Sequence, residues 1–194
     1  MNINEKKLHL GCGKTILKEW INLDIMGRQG VDIIADLERC SETPLPLGDH
    51  SIDEFYASHL IEHIHHTLPM MQELHRVAKN DAKAVFRLPY GSSDDAYEDP
   101  THVRQYFLNS FGYFSQPYYW RADYGYRGDW KTEKISLLVS EAVYKDKSFH
   151  EIYEDVMKKR NVVSEMVVEL RAIKPIRESK KELQTRPLIK FLMA

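Results

Sequence analysis

The chain has only two cysteines, Cys12 and Cys40, in 194 residues. That is too few for a disulfide framework, and the expectation is a reducing, intracellular compartment. No apolar run approaches the roughly 20 residues that cross a bilayer. The start, Met1 to Lys7, has no apolar segment of the signal-peptide kind. A cytoplasmic protein without a membrane partner is therefore expected. An excess of charge of either sign is also missing. Lys and Arg number 27 against 29 Asp and Glu, a net charge of −2, so bulk electrostatics does not favour nucleic acid as a partner, although it leaves it open. Internal repeats and low-complexity linkers are absent too, and 194 residues suffice for one domain with a sizeable core.

What is present is an ordered series of short apolar runs. Leu8-His9-Leu10 breaks into Gly11-Cys12-Gly13, as a buried strand does when it ends in a turn whose glycines let backbone approach a ligand. Strands are expected over 6–10, 21–25, 31–37, 51–58 and 82–88, with late strands over 134–143 and 162–173 paired at the sheet edge. Met70, Leu74, Val77 and Ala78 recur at helical spacing and predict a helix over 68–79, with Thr67 as its cap and Pro69 in its first turn. Residues 43–49 and 91–100 read as loops. Residues 106–130 hold 11 of the 21 aromatics; core packing is the first expectation for them, with a substrate wall or a dimer interface as alternatives. From Arg171 to Lys190 there are seven Lys or Arg against two Glu, so 176–194 reads as a basic, partly disordered tail after a domain over 1–175. Strands alternating with a helix and closing with a strand pair give an α/β class with a mostly parallel sheet. Ligands bind such sheets beyond the carboxyl ends of the strands, where Gly11, Gly13, Asp24, Asp36 and His59 fall.

His59-Leu60-Ile61-Glu62-His63 matches a zinc-protease pattern. Two histidines four apart on a helix can hold zinc, but no third ligand follows at helical spacing. The expectation is hydrogen bonding at a strand-to-helix turn, with no metal. Asp99-Pro100-Thr101-His102 reads either as a proline turn with a surface histidine or as a substrate contact, with His102 as a general base oriented by Asp99.

Taken together, Leu10-Gly11-Cys12-Gly13, Trp20-Ile21-Asn22-Leu23-Asp24, Ala35-Asp36-Leu37, Ser51-Ile52-Asp53, Ser58 to His63, Glu73 to Lys79, Leu88-Pro89, Asp99 to His102 and Ser110 to Phe114 resemble the class I S-adenosylmethionine-dependent methyltransferases. The likeness is greatest to the small type 11-like group, over about residues 7–175. The resemblance implies a Rossmann-like, mostly parallel seven-stranded sheet with flanking helices, lacking the usual N-terminal helix. It implies S-adenosylmethionine as cofactor. Gly11, Cys12 and Gly13 would lie against its methionine part, Asp24 on the ribose hydroxyls, Asp36 and Leu37 on the adenine, and Ser58 and His59 near the sulfonium. His59 and His102 would be the candidate bases. Where such chains often carry an acid, two residues before the first glycine, this one has His9. The acceptor would be an O or N nucleophile on a small molecule or saccharide, and a homodimer stays open. The alternatives are a degenerate cofactor- or partner-binding module of the same fold, and a zinc hydrolase built on His59, Glu62 and His63.

Overall fold

A computed structural model describes residues 5–194. It holds one eight-stranded sheet. The strands are β1 (Lys7–Leu10), β2 (Ile21–Asp24), β3 (Ile33–Ile34), β4 (Ile52–Ser58), β5 (Ala78–Pro89), β6 (Trp130–Val139), β7 (Val163–Ala172) and β8 (Leu188–Met193), in the order β3-β2-β1-β4-β5-β7-β6-β8. β1 to β5 are mutually parallel, and β7 runs antiparallel to both β5 and β6. Chain direction therefore brings the carboxyl ends of β1 to β5 and the start of β7 to one edge. The α-helices are α1 (Thr67–Val77), α2 (Asp95–Glu98), α3 (Glu141–Tyr144) and α4 (Phe149–Lys158).

The α/β class and the parallel first half match expectation, with four differences. The sheet has eight strands rather than seven. The eighth comes from the segment read as a disordered tail: β8 lies parallel to β6, Lys134 beside Leu188 through Val139 beside Met193. Its apolar residues alternate in exposure, as the strand period requires, and β6 is therefore not an edge. A buried ion pair also fastens this segment. Arg177 donates from Nε and Nη2 to Asp129, a residue with no exposed surface. The third strand shrinks to two residues, because Asp32 and Asp36 spend their carboxylates on backbone N–H groups, of Asn22 and Glu38 respectively. The helix ends at Val77 and the chain enters β5 directly. Asn80-Asp81 lies within that strand, with Asp81 at φ 63°. Thr67 is the first helical residue rather than its cap.

The core lies where α1 meets β4, β5, β6 and β7. Met70, Met71, Leu74 and Val77 are fully buried. Trp130 stands edge-on to Phe55 at 5.7 Å and donates its indole N–H to the Met71 carbonyl at 2.9 Å. Most of the aromatic segment is core as expected: Tyr106, Phe111, Phe114, Tyr119 and Tyr126 are buried, whereas Tyr113 and Tyr124 are exposed. Among the described residues no helix is long and apolar enough to cross a membrane.

Candidate functional site

β1 ends at Leu10, and Gly11 and Gly13 follow at φ 58° and 53°. This left-handed conformation suits glycine and strains other residues. At Gly11 a Cβ would also stand 2.7 Å from Leu60. The turn is latched to the next strand. Asp24, at the end of β2, accepts from the Gly13 N–H with Oδ2 (2.7 Å) and from the Met26 N–H with Oδ1 (2.8 Å). It is 8% exposed, and each oxygen keeps a second lone pair for another donor. Cys12 is buried, its N–H bonded to the Leu23 carbonyl, and burial pushes its thiol above the ordinary cysteine value, so it is a filler rather than a nucleophile. Past β3, Asp36 caps the 3₁₀ turn Leu37–Arg39 by accepting from Glu38 N–H at 3.0 Å, and Leu37 is buried beneath it. Ser58 closes β4. Gly11, Cys12, Gly13, Asp24, Asp36, Leu37, Ser58 and His59 thus follow the carboxyl ends of four neighbouring strands, with β1 at the switch point between β2 and β4.

A residue the sequence reading did not single out holds this edge. Asn22 is 2% exposed. Its Oδ1 accepts from Leu17 N–H, and its Nδ2 donates to the carbonyls of Leu17 and Trp20, each at 3.0 Å. One side chain therefore satisfies backbone that a crossover helix would otherwise have satisfied. His9 Nδ1 lies 3.2 Å from the same Oδ1. Burial lowers the His9 pKa despite that bond, so this position holds a neutral ring where an acid is common.

The segment after β4 is not helical across the zinc-like pattern. His59 has φ 50°, and only Ile61–His63 form a 3₁₀ turn. His59 and His63 consequently face different partners, and the helical spacing behind the zinc-hydrolase alternative is missing. His59 Nε2 meets Glu165 of β7 at 2.9 Å, and its Nδ1 lies 3.4 Å from Glu62 Oε1. His63 Nδ1 meets Thr101, at 3.2 Å to the carbonyl and 2.9 Å to Oγ1. The carbonyls of Ile61 and Glu62 also hold the later segment. Glu62 accepts from Val103 and Arg104 N–H, and Ile61 from the Tyr106 hydroxyl. This brings His102 against His63, ring centroids 4.7 Å apart. Asp99 stands 3.9 Å from His102 Nε2, and its carboxyl is held below the usual range by accepting from the Thr101 side chain and N–H. Glu62 is 2% exposed, and burial raises its carboxyl above the ordinary glutamate value, outweighing the pull of the three histidines. Of the two histidines proposed as bases, His59 contacts Glu62, and His102 stands within 4.8 Å of it.

Beside this cluster is a cavity of about 710 Å³, walled by Tyr90, Arg104, Phe107, Tyr113 and Tyr153 among others. It lies beyond β5, toward α4, and none of the residues proposed to hold the cofactor lines it.

No protein-family model matches the chain, and no curated protein matches it by sequence. Solved structures do. A SAM-dependent methyltransferase from Archaeoglobus fulgidus is 18% identical, with 86% of each chain covered and a TM-score of 0.57. A Thermotoga maritima protein, described as a SAM-dependent methyltransferase and possible histamine N-methyltransferase, is 12% identical over 86% of this chain and 81% of its own, with a TM-score of 0.53. The [4+2]-cyclase SpnF is 12% identical over 88% of this chain and 76% of its own, also with a TM-score of 0.53. The cyclase shows that this fold supports more than one chemistry. By strand order and by these neighbours, the chain has the Rossmann-like fold of the class I S-adenosylmethionine-dependent methyltransferases.

Proposed function

We propose that this chain is an S-adenosylmethionine-dependent methyltransferase, acting in the cytoplasm on an O or N nucleophile of a small molecule or saccharide. The observation that carries this reading is the latch between the Gly11-Cys12-Gly13 turn and Asp24 at the switch point of the sheet. The turn offers backbone with little side-chain cover to the methionine part of the cofactor. Asp24 offers charged acceptors to the ribose diol, which make stronger bonds than neutral ones. Asp36 and Leu37 serve the adenine, and Ser58 and His59 flank the sulfonium. Rate enhancement comes chiefly from holding nucleophile, methyl carbon and sulfur in line, an effect that can supply about 7–11 kcal/mol. His102 or His59 takes a proton where the acceptor is a hydroxyl.

The test is calorimetric titration with S-adenosylmethionine and S-adenosylhomocysteine, on the native chain and on Asp24→Ala. The expected result is micromolar binding by the native chain and at least a tenfold loss in the variant. Absence of binding to both ligands would reduce the likeness to one of fold. Binding without turnover over a broad acceptor panel would favour the degenerate module, for which neutral His9 in place of an acid speaks.

A further inference from the structure

We propose that Glu62, His63 and His102 bind one first-row divalent metal ion, which leaves His59 as the one candidate base not engaged as a ligand. One ligand atom from each of the three lies within 4.8 Å of the other two. The sequence reading favoured no metal. The pair His59 and His63 lacks a third ligand at helical spacing, whereas the structure sets His102, 39 positions beyond His63, against His63 and Glu62.

Three observations point to a cation. Both carboxylate oxygens of Glu62 are buried without a hydrogen-bond partner, and so is Nδ1 of His102. Buried polar atoms are almost always partnered, and a buried carboxylate without a partner is costly. The contact with His59 reaches only one Glu62 oxygen, at 3.4 Å. A cation between the rings would satisfy all three orphaned atoms together.

The second observation is the tautomer of His63. A carbonyl only accepts, so the contact with Thr101 O makes Nδ1 the protonated nitrogen. The Thr101 hydroxyl agrees: it donates to Asp99 at 2.6 Å and can only accept from the ring. Nε2 of His63 therefore carries the free lone pair, as a metal ligand must. The third is the surrounding shell. Asp99 orients Thr101, Thr101 orients His63, and Asp99 faces His102 Nε2. Ligating histidines characteristically hand their other N–H to such groups.

Two imidazoles and one carboxylate suit Zn²⁺, Fe²⁺ or Co²⁺ better than Mg²⁺ or Ca²⁺, which prefer all-oxygen sets. Three protein ligands leave at least one position open to water or another oxygen ligand. Metal–ligand bonds of about 2.0–2.2 Å put neighbouring ligand atoms about 3.0–3.5 Å apart, so the three side chains close slightly on binding.

The experiment uses the full chain, stripped with chelator. Zn²⁺ is titrated calorimetrically, and Co²⁺ is followed by its visible ligand-field bands. One ion per chain is expected. Glu62→Gln and His102→Ala are each expected to lose about 100-fold in affinity or more, and Thr101→Val about 10- to 100-fold. His59→Gln and Asp24→Ala are expected to keep the ion, so the outcome is independent of the methyl-donor assignment. Should Glu62→Gln fail to fold, His102→Ala and Thr101→Val decide. Absence of a stoichiometric ion, tighter binding of Mg²⁺ than of Zn²⁺, or binding unchanged in the folded variants and therefore seated on exposed histidines such as His65 would each overturn the proposal.

Discussion

β1 to β3 and β4 to β8 belong to one sheet but are held by different means. Among the described residues, the connections within the first group contain no α-helix. Polar side chains knit them instead: the buried Asn22 to the loop after β1, the buried Asp24 to the glycine turn, and the exposed Asp32 to β2. The second group is joined through four helices and packs around Trp130, Phe55 and the α1 methionines. Directional bonds place atoms accurately and contribute little net stability, about 1 kcal/mol each. Apolar burial contributes more and places atoms less strictly. The half proposed to grip a cofactor is the half whose connections are held by directional bonds, while Leu8, Leu10 and Leu23 anchor its strands in the shared core.

Substitutions can break this division. Trp130→Ala removes a fully buried indole and its bond to Met71, and is expected to cost about 3–5 kcal/mol in chemical denaturation. Next, Arg177→Met leaves Asp129 buried and charged with its N–H and hydroxyl donors only. A loss of about 3 kcal/mol is expected, together with early amide exchange in β8. Asn22→Ala strands the Leu17 and Trp20 groups and is expected to cost about 2 kcal/mol. Its amide exchange should rise over residues 11–20 and leave α1 protected. A uniform rise across the sheet would refute the division.

The smallest effect is expected with pH. His9 stands in the first half and His75 in the second, where its Nε2–H donates to the Ile173 carbonyl. Burial lowers both pKa values, outweighing those bonds. The unfolded chain then takes up protons first as pH falls through about 6.5, so stability is full above that value and declines below it. His75→Gln keeps a donor for Ile173 and does not titrate. It should flatten the loss seen in thermal melts between pH 7 and 5. An unchanged slope would assign the acid response to His9.

What the sequence made legible follows the same line. β1, β2 and β4 could be read because each apolar run ends in a glycine, an aspartate or a polar Ser-His step. The order of those endings also located the candidate cofactor edge. β3 is shorter than its apolar run suggests because Asp32 and Asp36 spend their carboxylates on the backbone N–H groups of Asn22 in β2 and of Glu38 in the following turn. α4 was missed although Ser148 and Glu151 spell a capping box. β8 was hidden by counting charge: its apolar residues find β6 some 50 positions earlier, a pairing that no local period records. The meeting of His102 with Glu62 and His63 is of that kind too. Two backbone carbonyls create it, and carbonyls have no letter in the sequence.

Trp130 has one further consequence. The three tryptophans sit in three settings. Trp130 is sealed in the core, Trp20 is half-buried against Tyr56 beside the hydrogen-bonded loop, and Trp120 is 38% exposed between Arg121 and Lys181. Each half of the sheet thus has its own intrinsic fluorophore, and the third already samples solvent. With Trp120 replaced by Phe, ultraviolet emission would report loosening of the loop through Trp20 and collapse of the core through Trp130. No external dye would be needed to tell the two events apart.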